Sequence, residues 1–282
     1  MLPEILKNNL SVPVVGAPLF IISRPGLVIA QCKAGVVGSF PALNARPQEV
    51  LSDWIKEIKD ELGQYKEDNP DKPVAPFAVN QICHLSNDRL FQDVETCVKH
   101  EAPIIITSLR PPEDLVKAIH SYGGLVFHDV ISTRHAQKAV EQGVDGLILV
   151  CAGAGGHAGA LSPFALLRET REWYDGTILL SGAISDGYSV ASALAMGADL
   201  AYIGTRFIAT EESEADDDYK QIVNAQAPTQ GAAATSTLAN QMGLTENSGP
   251  MPGIDISKLD FVSKAKSVLD AAYKKDKNRQ PV

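Results

Sequence analysis

His157 is the one large polar side chain inside a run of small residues, LVCAGAGGHAGAL, spanning Leu149 to Leu161. An apolar stretch, Gly146 to Ala152, leads in, Gly153, Gly155, Gly156 and Gly159 surround the imidazole, and Ser162-Pro163 opens what reads as a helix. Glycines let a backbone approach a bound molecule closely and take positive φ without strain. An imidazole titrates near neutral pH and is the side chain most often used for proton transfer. The pattern is therefore a strand that stops at a glycine loop presenting one candidate base. A plain tight turn with a solvent-exposed histidine is the alternative reading.

A second chemistry is written further on. SGAISDG (Ser181 to Gly187) and IGTRF (Ile203 to Phe207) are each a strand end followed by small residues. In parallel barrels the last two such ends often hold a phosphate on backbone N–H groups and a helix N-terminus. Asp186 also reads as a helix N-cap, and both readings can hold together. The other strand ends give Ala17-Pro18-Leu19, Asn80, Ser108 and His128-Asp129. This rim lacks the spaced carboxylate pair of a glycosidase and a three-ligand metal set. Asn80 also reads as a turn cap, and His128 beside Asp129 as a structural pair.

The elements that must carry these residues form a repeating unit: an apolar run, then an amphipathic stretch. Strands are expected at Val12–Leu19, Val36–Phe40, Val74–Asn80, Ile104–Ser108, Leu125–Val130, Gly146–Ala152, Ile178–Ile184 and Leu200–Ile208. Helices are expected between them, at Pro25–Lys33, Pro47–Leu62, Asp88–His100, Pro111–Ser121, Thr133–Gln142, Ser162–Trp173 and Asp186–Met196, with 63–73 as a polar loop. Strands apolar almost throughout indicate a parallel sheet buried on both faces. Eight units point to an α/β fold, a (β/α)8 TIM barrel over residues 1–210. An open doubly wound sheet would more usually carry GxGxxG after its first strand, where VVGAPLF stands. Two joints echo each other, Gly143-Val144-Asp145 and Gly197-Ala198-Asp199, each between a helix and a strand. Beyond 210 the rhythm breaks into an acidic segment (Glu211 to Asp218), a helix at Tyr219–Ala225, a Gly/Pro/Ser/Thr/Asn-rich region with a short helix at Ser236–Met242, and a basic helix at Lys264–Lys275. Residues 211–282 are thus expected to form an irregular extension on or near the barrel.

Composition narrows the partners. The 282 residues are 45% hydrophobic and 21% charged, and the net charge of −9 argues against nucleic acid and an anionic membrane surface as main partners. MLPEILKNNL does not read as a signal peptide, and no apolar run approaches the ~18 residues of a spanning helix. The four cysteines, Cys32, Cys83, Cys97 and Cys151, have no metal or disulfide spacing, which fits a reducing cytoplasm.

AGAGGHAG with SPFAL, then LSGAISDG, then MGADLAYIGTRFIAT, together with HDV at 128–130 and AVNQICHLSNDRL at 78–90, resemble the nitronate monooxygenase (2-nitropropane dioxygenase) family. The resemblance runs from about Val12 to Gln226. That family is similar to FMN-dependent enoyl-acyl-carrier-protein reductases and NADH:quinone reductases. The resemblance implies FMN across the barrel mouth, with Ala17, Pro18 and Leu19 along the isoalloxazine and Asn80 and His128 near the ring or ribityl chain. It places Gly156 under the flavin, Ser181, Gly182, Gly204 and Thr205 at the phosphate, and His157 at the substrate as catalytic base or orienting donor. The activity implied is oxidation of a nitronate or nitroalkane with O2 to a carbonyl compound and nitrite, by a monomer or homodimer. An NAD(P)H-linked quinone or enoyl-thioester reductase is the alternative within flavin chemistry. A barrel that binds a phosphorylated ligand without turnover is the alternative outside it. Residues 227–262 depart from the family by lacking its Trp and its AGQG-like turn.

Overall fold

The computed structural model describes residues 2–110, 113–155 and 159–226. Eight parallel strands follow one another: β1 (Val14–Gly16), β2 (Gly38–Pro41), β3 (Phe77–Ile82), β4 (Ile104–Ser108), β5 (Leu125–Val130), β6 (Gly146–Val150), β7 (Thr177–Ser181) and β8 (Leu200–Ile203). They pair in the order β1-β8-β7-β6-β5-β4-β3-β2. β1 meets β2 through one bridge, Val15 to Val37, where Gly16 N–H donates to Val37 O (2.8 Å) and Val37 N–H to Val14 O (3.1 Å). The ring is a TIM barrel, as the sequence rhythm indicates.

Both strand faces are buried, on different clusters. Val15, Val37, Ala78, Ile104, Ile106, Phe127, Ile148, Leu179 and Leu200 fill the interior. Phe40, Val79, Ile105, Val126, Val130, Leu147, Leu149, Ile178 and Leu180 face outward to the helix layer. That layer holds α2 (Pro25–Lys33), α3 (Val50–Asp68), α4 (Leu90–Lys99), α5 (Glu113–His120), α6 (Thr133–Glu141), α7 (Pro163–Arg171) and α8 (Gly187–Ala195). α3 shows why the helices dock: Leu51, Ile55, Ile58 and Leu62 recur on one side and are buried. A first short helix, α1 (Glu4–Lys7), has no strong signal in the sequence. Its Leu6 is fully buried with Ala75, Ile104 and Leu200, at the strands' N-terminal ends, and so plugs the bottom of the barrel.

The echoing joints have a common physical job. Asp145 N–H donates to Val126 O (2.8 Å) and its Oδ2 accepts Val126 N–H (2.7 Å). Asp199 does the same with Ile178, at 2.9 Å in both directions. Each aspartate satisfies the first free N–H of the neighbouring strand, and Arg171 adds a guanidinium contact to Asp199.

Several boundaries differ from expectation, β1 and β7 among them being shorter at their C-terminal ends, and three have a visible cause. The eighth strand ends at Ile203 and the chain turns into α9 (Thr205–Ile208), because Phe207 and Ile208 find buried positions outside the strand row. α3 continues through Gly63 to Asp68 where a loop is expected, as space around Gly63 is open and Tyr65 lies beneath the ammonium groups of Lys33 and Lys72. β3 is displaced toward Ile82, since Ala75 N–H is tied to Cys32 O (3.0 Å) before the strand begins. The acidic segment leads into α10 (Asp217–Gln226), with Asp217 and Asp218 in its first turn, where negative charge suits the helix dipole. The helices expected at 236–242 and 264–275 lie outside the described residues.

Candidate active site

Leu6 closes one end of the barrel, so the open end is the C-terminal one, where parallel barrels place their chemistry. Alternation along each strand decides which side chains line it. On β3, Asn80 follows the interior Ala78; on β4, Ser108 follows Ile106; on β5, Asp129 follows Phe127. These three form a chain: Asn80 Nδ2 donates to Ile106 O (3.2 Å) and Ser108 Oγ (2.9 Å), and Ser108 Oγ donates to Asp129 Oδ2 (2.7 Å). Burial, opposed by the Ser108 bond, pushes the Asp129 carboxyl up to about 6. Across the barrel, Tyr202 on β8 completes the layer, its phenol pushed well above its ordinary value by burial and then by Asp129.

His128 is elsewhere. It shares the outer side of β5 with Val126 and Val130, is 3% exposed, and pairs with Thr107, Oγ1 to Nδ1 at 2.8 Å. Burial pushes its imidazole down to about 4, so it is a neutral group between sheet and helices at ordinary pH. The alternation that sends His128 outward sends its neighbour Asp129 into the mouth. Reading HDV as a histidine site thus picked the wrong side of the strand as the one facing the interior.

The remaining predicted residues meet on the far side of the ring. Ala17 N–H donates to Ile203 O (2.8 Å), joining the ends of β1 and β8. A side chain at Gly204 would stand 3.4 Å from Leu19 and 3.6 Å from Ala17. Ala17, Pro18 and Leu19 are half-buried there, with Ser23 Oγ accepting Leu19 N–H (2.9 Å) and Asn44 Nδ2 donating to Leu19 O (3.0 Å) to hold the loop. Gly204 and Thr205 head α9, whose first N–H groups have no helical acceptor. Next to them Ser181 closes β7, and Cys151 N–H donates to Ser181 O (3.0 Å). Gly182 has φ 135°, and a Cβ there would lie 2.8 Å from Ala152 O, so only glycine fits. Asp186 caps α8 in a reciprocal capping box with Ser189. That carboxylate occupies the N-terminus of α8, leaving the Gly182 and Gly204–Thr205 backbone as the candidate anion cradle. His157 and Gly156 lie outside the described residues; the loop that carries them leaves β6 beside Gly182 and is pinned on return by Gly159 N–H to Val150 O (3.1 Å).

Among the described residues, no group of three His, Cys, Asp or Glu is placed to hold a metal, and no helix is long and apolar enough to cross a membrane. Sequence reasoning placed Ser108 and Asp129 at strand ends without giving either a role, and it missed Tyr202. Their signal is positional only: each follows an interior residue by two.

Solved structures share this architecture. FabK from Thermotoga maritima superposes with a TM-score of 0.71 over 96% of this chain and 97% of its own, at 20% identity. Nitroalkane oxidase from Streptomyces ansochromogenes gives 0.67 over 96% and 97%, at 19% identity. In sequence, the chain is 26% identical to the probable nitronate monooxygenase of Bacillus subtilis, covering 76% of this chain and 71% of that protein. It is also 26% identical to an octahydro-1H-indene-4-carboxyl-CoA dehydrogenase of Rhodococcus jostii over 74% of this chain, but spans only 55% of that relative's length. The nitronate monooxygenase family model matches residues 5–239, so it covers all eight strands and helices α2 to α10. By that match, this chain belongs to the nitronate monooxygenase family.

Proposed function

We propose that this chain is a flavin-dependent oxidoreductase that uses FMN and O2 to convert nitronates or nitroalkanes to carbonyl compounds and nitrite. The observation that carries the reading is the pair of backbone turns at Gly182 and Gly204–Thr205. Gly204 lies beside the Ala17–Leu19 loop and Gly182 follows the next strand of the ring, so the two turns belong to one wall of a mouth whose other wall is the Asn80–Ser108–Asp129 chain. A phosphate suits the N–H groups of the first wall, a flat ring suits the half-buried apolar loop, and hydroxyl-bearing carbon suits the second wall.

When bound, FMN supplies the electron acceptor and the reaction with O2. The residues of the chain bind, orient and move protons. Ser181, Gly182, Gly204 and Thr205 hold the phosphate; Ala17, Pro18 and Leu19 flank the ring; Asn80 orients the ligand from β3. His157 takes the α-proton of a neutral nitroalkane, or orients the nitro group of a nitronate that arrives already deprotonated.

The test is to purify the protein, reconstitute it with FMN, record the visible spectrum, and add propionate 3-nitronate aerobically while following O2 consumption. A yellow protein that consumes O2 is the expected result. A protein that cannot be loaded with FMN overturns the reading, and rapid anaerobic bleaching by NADH or NADPH would replace it with the reductase chemistry.

A further inference from the structure

The Asn80–Ser108–Asp129 chain has a direction, and the direction says what must meet it. Asn80 Nδ2 spends both hydrogens, on Ile106 O and on Ser108 Oγ. Because Ser108 Oγ accepts from Asn80, its own hydrogen goes to Asp129 Oδ2. The chain therefore ends at Asp129 Oδ1, which is shielded from solvent and has no hydrogen-bond partner among the described residues. A buried acceptor with no donor is costly and uncommon. It stands at the open end of the barrel, two residues beyond the interior Phe127. Nothing in the packing of the fold asks for a carboxyl here, since its registered partner on β6, Ile148, is apolar and so is Val150 beyond it.

We propose that Asp129 is a ligand-contacting residue: its Oδ1 accepts a hydrogen bond from an O–H or N–H donor of the bound flavin, and Ser108 and Asn80 are positioning residues that aim it. The proposal rests on the flavin reading above. The donors available on a flavin are the ribityl hydroxyls and the ring N–H. An acceptor-terminated wall selects either of them over an anionic oxygen, so it is matched to the cofactor and not to a nitronate.

Protonation would turn Oδ1, the oxygen that Ser108 does not bind, into a hydroxyl donor, so it is the ionised carboxylate that offers a full acceptor to the ligand. The raised carboxyl pKa of Asp129, about 6, puts the change inside the working range. Among the described residues Tyr202 on β8 is the titratable group that reaches it, and that phenol is neutral there. β4 presents the uncharged Ser108, β6 the apolar Ile148 and Val150, and His128 on the same strand faces the helices.

The experiment is flavin binding by fluorescence quenching across pH, with a readout independent of turnover. Riboflavin is the main probe, because the phosphate of FMN itself titrates near pH 6. Wild-type affinity for riboflavin is expected to be about tenfold weaker at pH 5 than at pH 7, as linkage to a group of pKa near 6 requires. Asp129→Asn keeps the shape, but Ser108 then claims its carbonyl oxygen and an NH2 faces the ligand. Its affinity should fall about tenfold or more at pH 8, with the pH dependence gone. Ser108→Ala removes the bond that holds the carboxyl pKa down, so the midpoint of the profile should move to higher pH. Lumiflavin, which lacks the ribityl hydroxyls, separates the two donors: loss of the Asp129→Asn effect assigns the polyol, and its persistence assigns the ring N–H. Equal affinity and equal pH profiles in wild type and Asp129→Asn overturn the assignment while leaving the flavin reading intact. Should Asp129→Asn fail to fold, an unmoved midpoint in Ser108→Ala overturns it. A wild type that binds no flavin at any pH overturns both.

Discussion

Thr107 and His128 face each other on the outer side of adjacent strands, Oγ1 to Nδ1 at 2.8 Å, and burial holds the imidazole down to about 4. The folded pKa is below the unfolded value of about 6.5, so the stability this group contributes is present above pH 6.5 and is lost as pH falls toward 4. Between pH 7 and pH 5 the loss should be about 2 kcal/mol. Urea unfolding of His128→Gln at both pH values checks this. The wild type should lose about 2 kcal/mol more than the variant over that interval, and equal losses would show that the imidazole is not held neutral.

Asp129, the next residue, carries the opposite sign. Its folded pKa of about 6 lies above the ordinary carboxylate value, so ionising it works against the fold. The protein without ligand should gain stability from this group as pH falls from about 6 toward 4. Asp129→Asn should therefore be more stable than wild type by about 3 kcal/mol at pH 8, with most of that gone by about pH 4. Thermal or urea melts across pH decide it, and a variant less stable than wild type at pH 8 would contradict it. Near pH 5 the two neighbours pull against each other, so wild-type acid sensitivity understates each one.

Gly182→Ala should fold less stably and hold flavin poorly. The residue sits at φ 135° and its new Cβ would meet Ala152 O at 2.8 Å. Strain of this kind costs about 1–3 kcal/mol. The informative measurement is the ratio of bound flavin to protein after gel filtration, beside a denaturant melt. Full flavin retention in the variant would remove Gly182 from the cradle.

His157→Ala should leave the visible flavin spectrum nearly unchanged, because the proposed phosphate contacts at Gly182 and Gly204 are untouched. Loss of a general base typically costs ~10²–10⁴ in rate. A nitronate arrives deprotonated, so the loss should be much larger for a neutral nitroalkane than for its anion. Steady-state kinetics on both forms test it. Equal slowing assigns an orienting role, loss of flavin a scaffolding one, and no change would reduce the glycine loop to a turn.

The barrel was legible because its signal is repetition: eight apolar runs, each followed by an amphipathic stretch. What repetition does not carry is the side of the strand. In LVFHDV, Val126 and Phe127 are both fully buried, one against the helices and one inside the ring, so no period of two marks the inward face. His128 therefore looked like a mouth residue and Asp129 like its companion, although only pairing register separates them. Ala17, Leu19 and Gly204 could be placed together from the sequence, since their position at the ends of strands one and eight does not depend on which way a side chain points. The turn into α9 was hidden because IGTRFIAT continues the apolar pattern of β8, and the burial of Phe207 and Ile208 satisfies that pattern equally well in a helix.

The seam between β1 and β2 has a mechanical consequence. β8 joins β1 through three registered pairs, whereas β1 and β2, adjacent in sequence, share one bridge. Behind that bridge Gln31 packs its amide against Gly16, and neither of its polar atoms has a partner among the described residues. The ring is therefore a spring with a gap, weakest between its first two strands and not where the first strand meets the last. Thermal breathing of the ring should concentrate there, and the amide hydrogens of Gly16 and Val37 should exchange with deuterium ahead of those in β4 to β6. The loop after β1, which carries Ala17, Pro18 and Leu19, rides on one lip of that gap, so the wall of the mouth with the most freedom to widen is the one assigned to the flat ring.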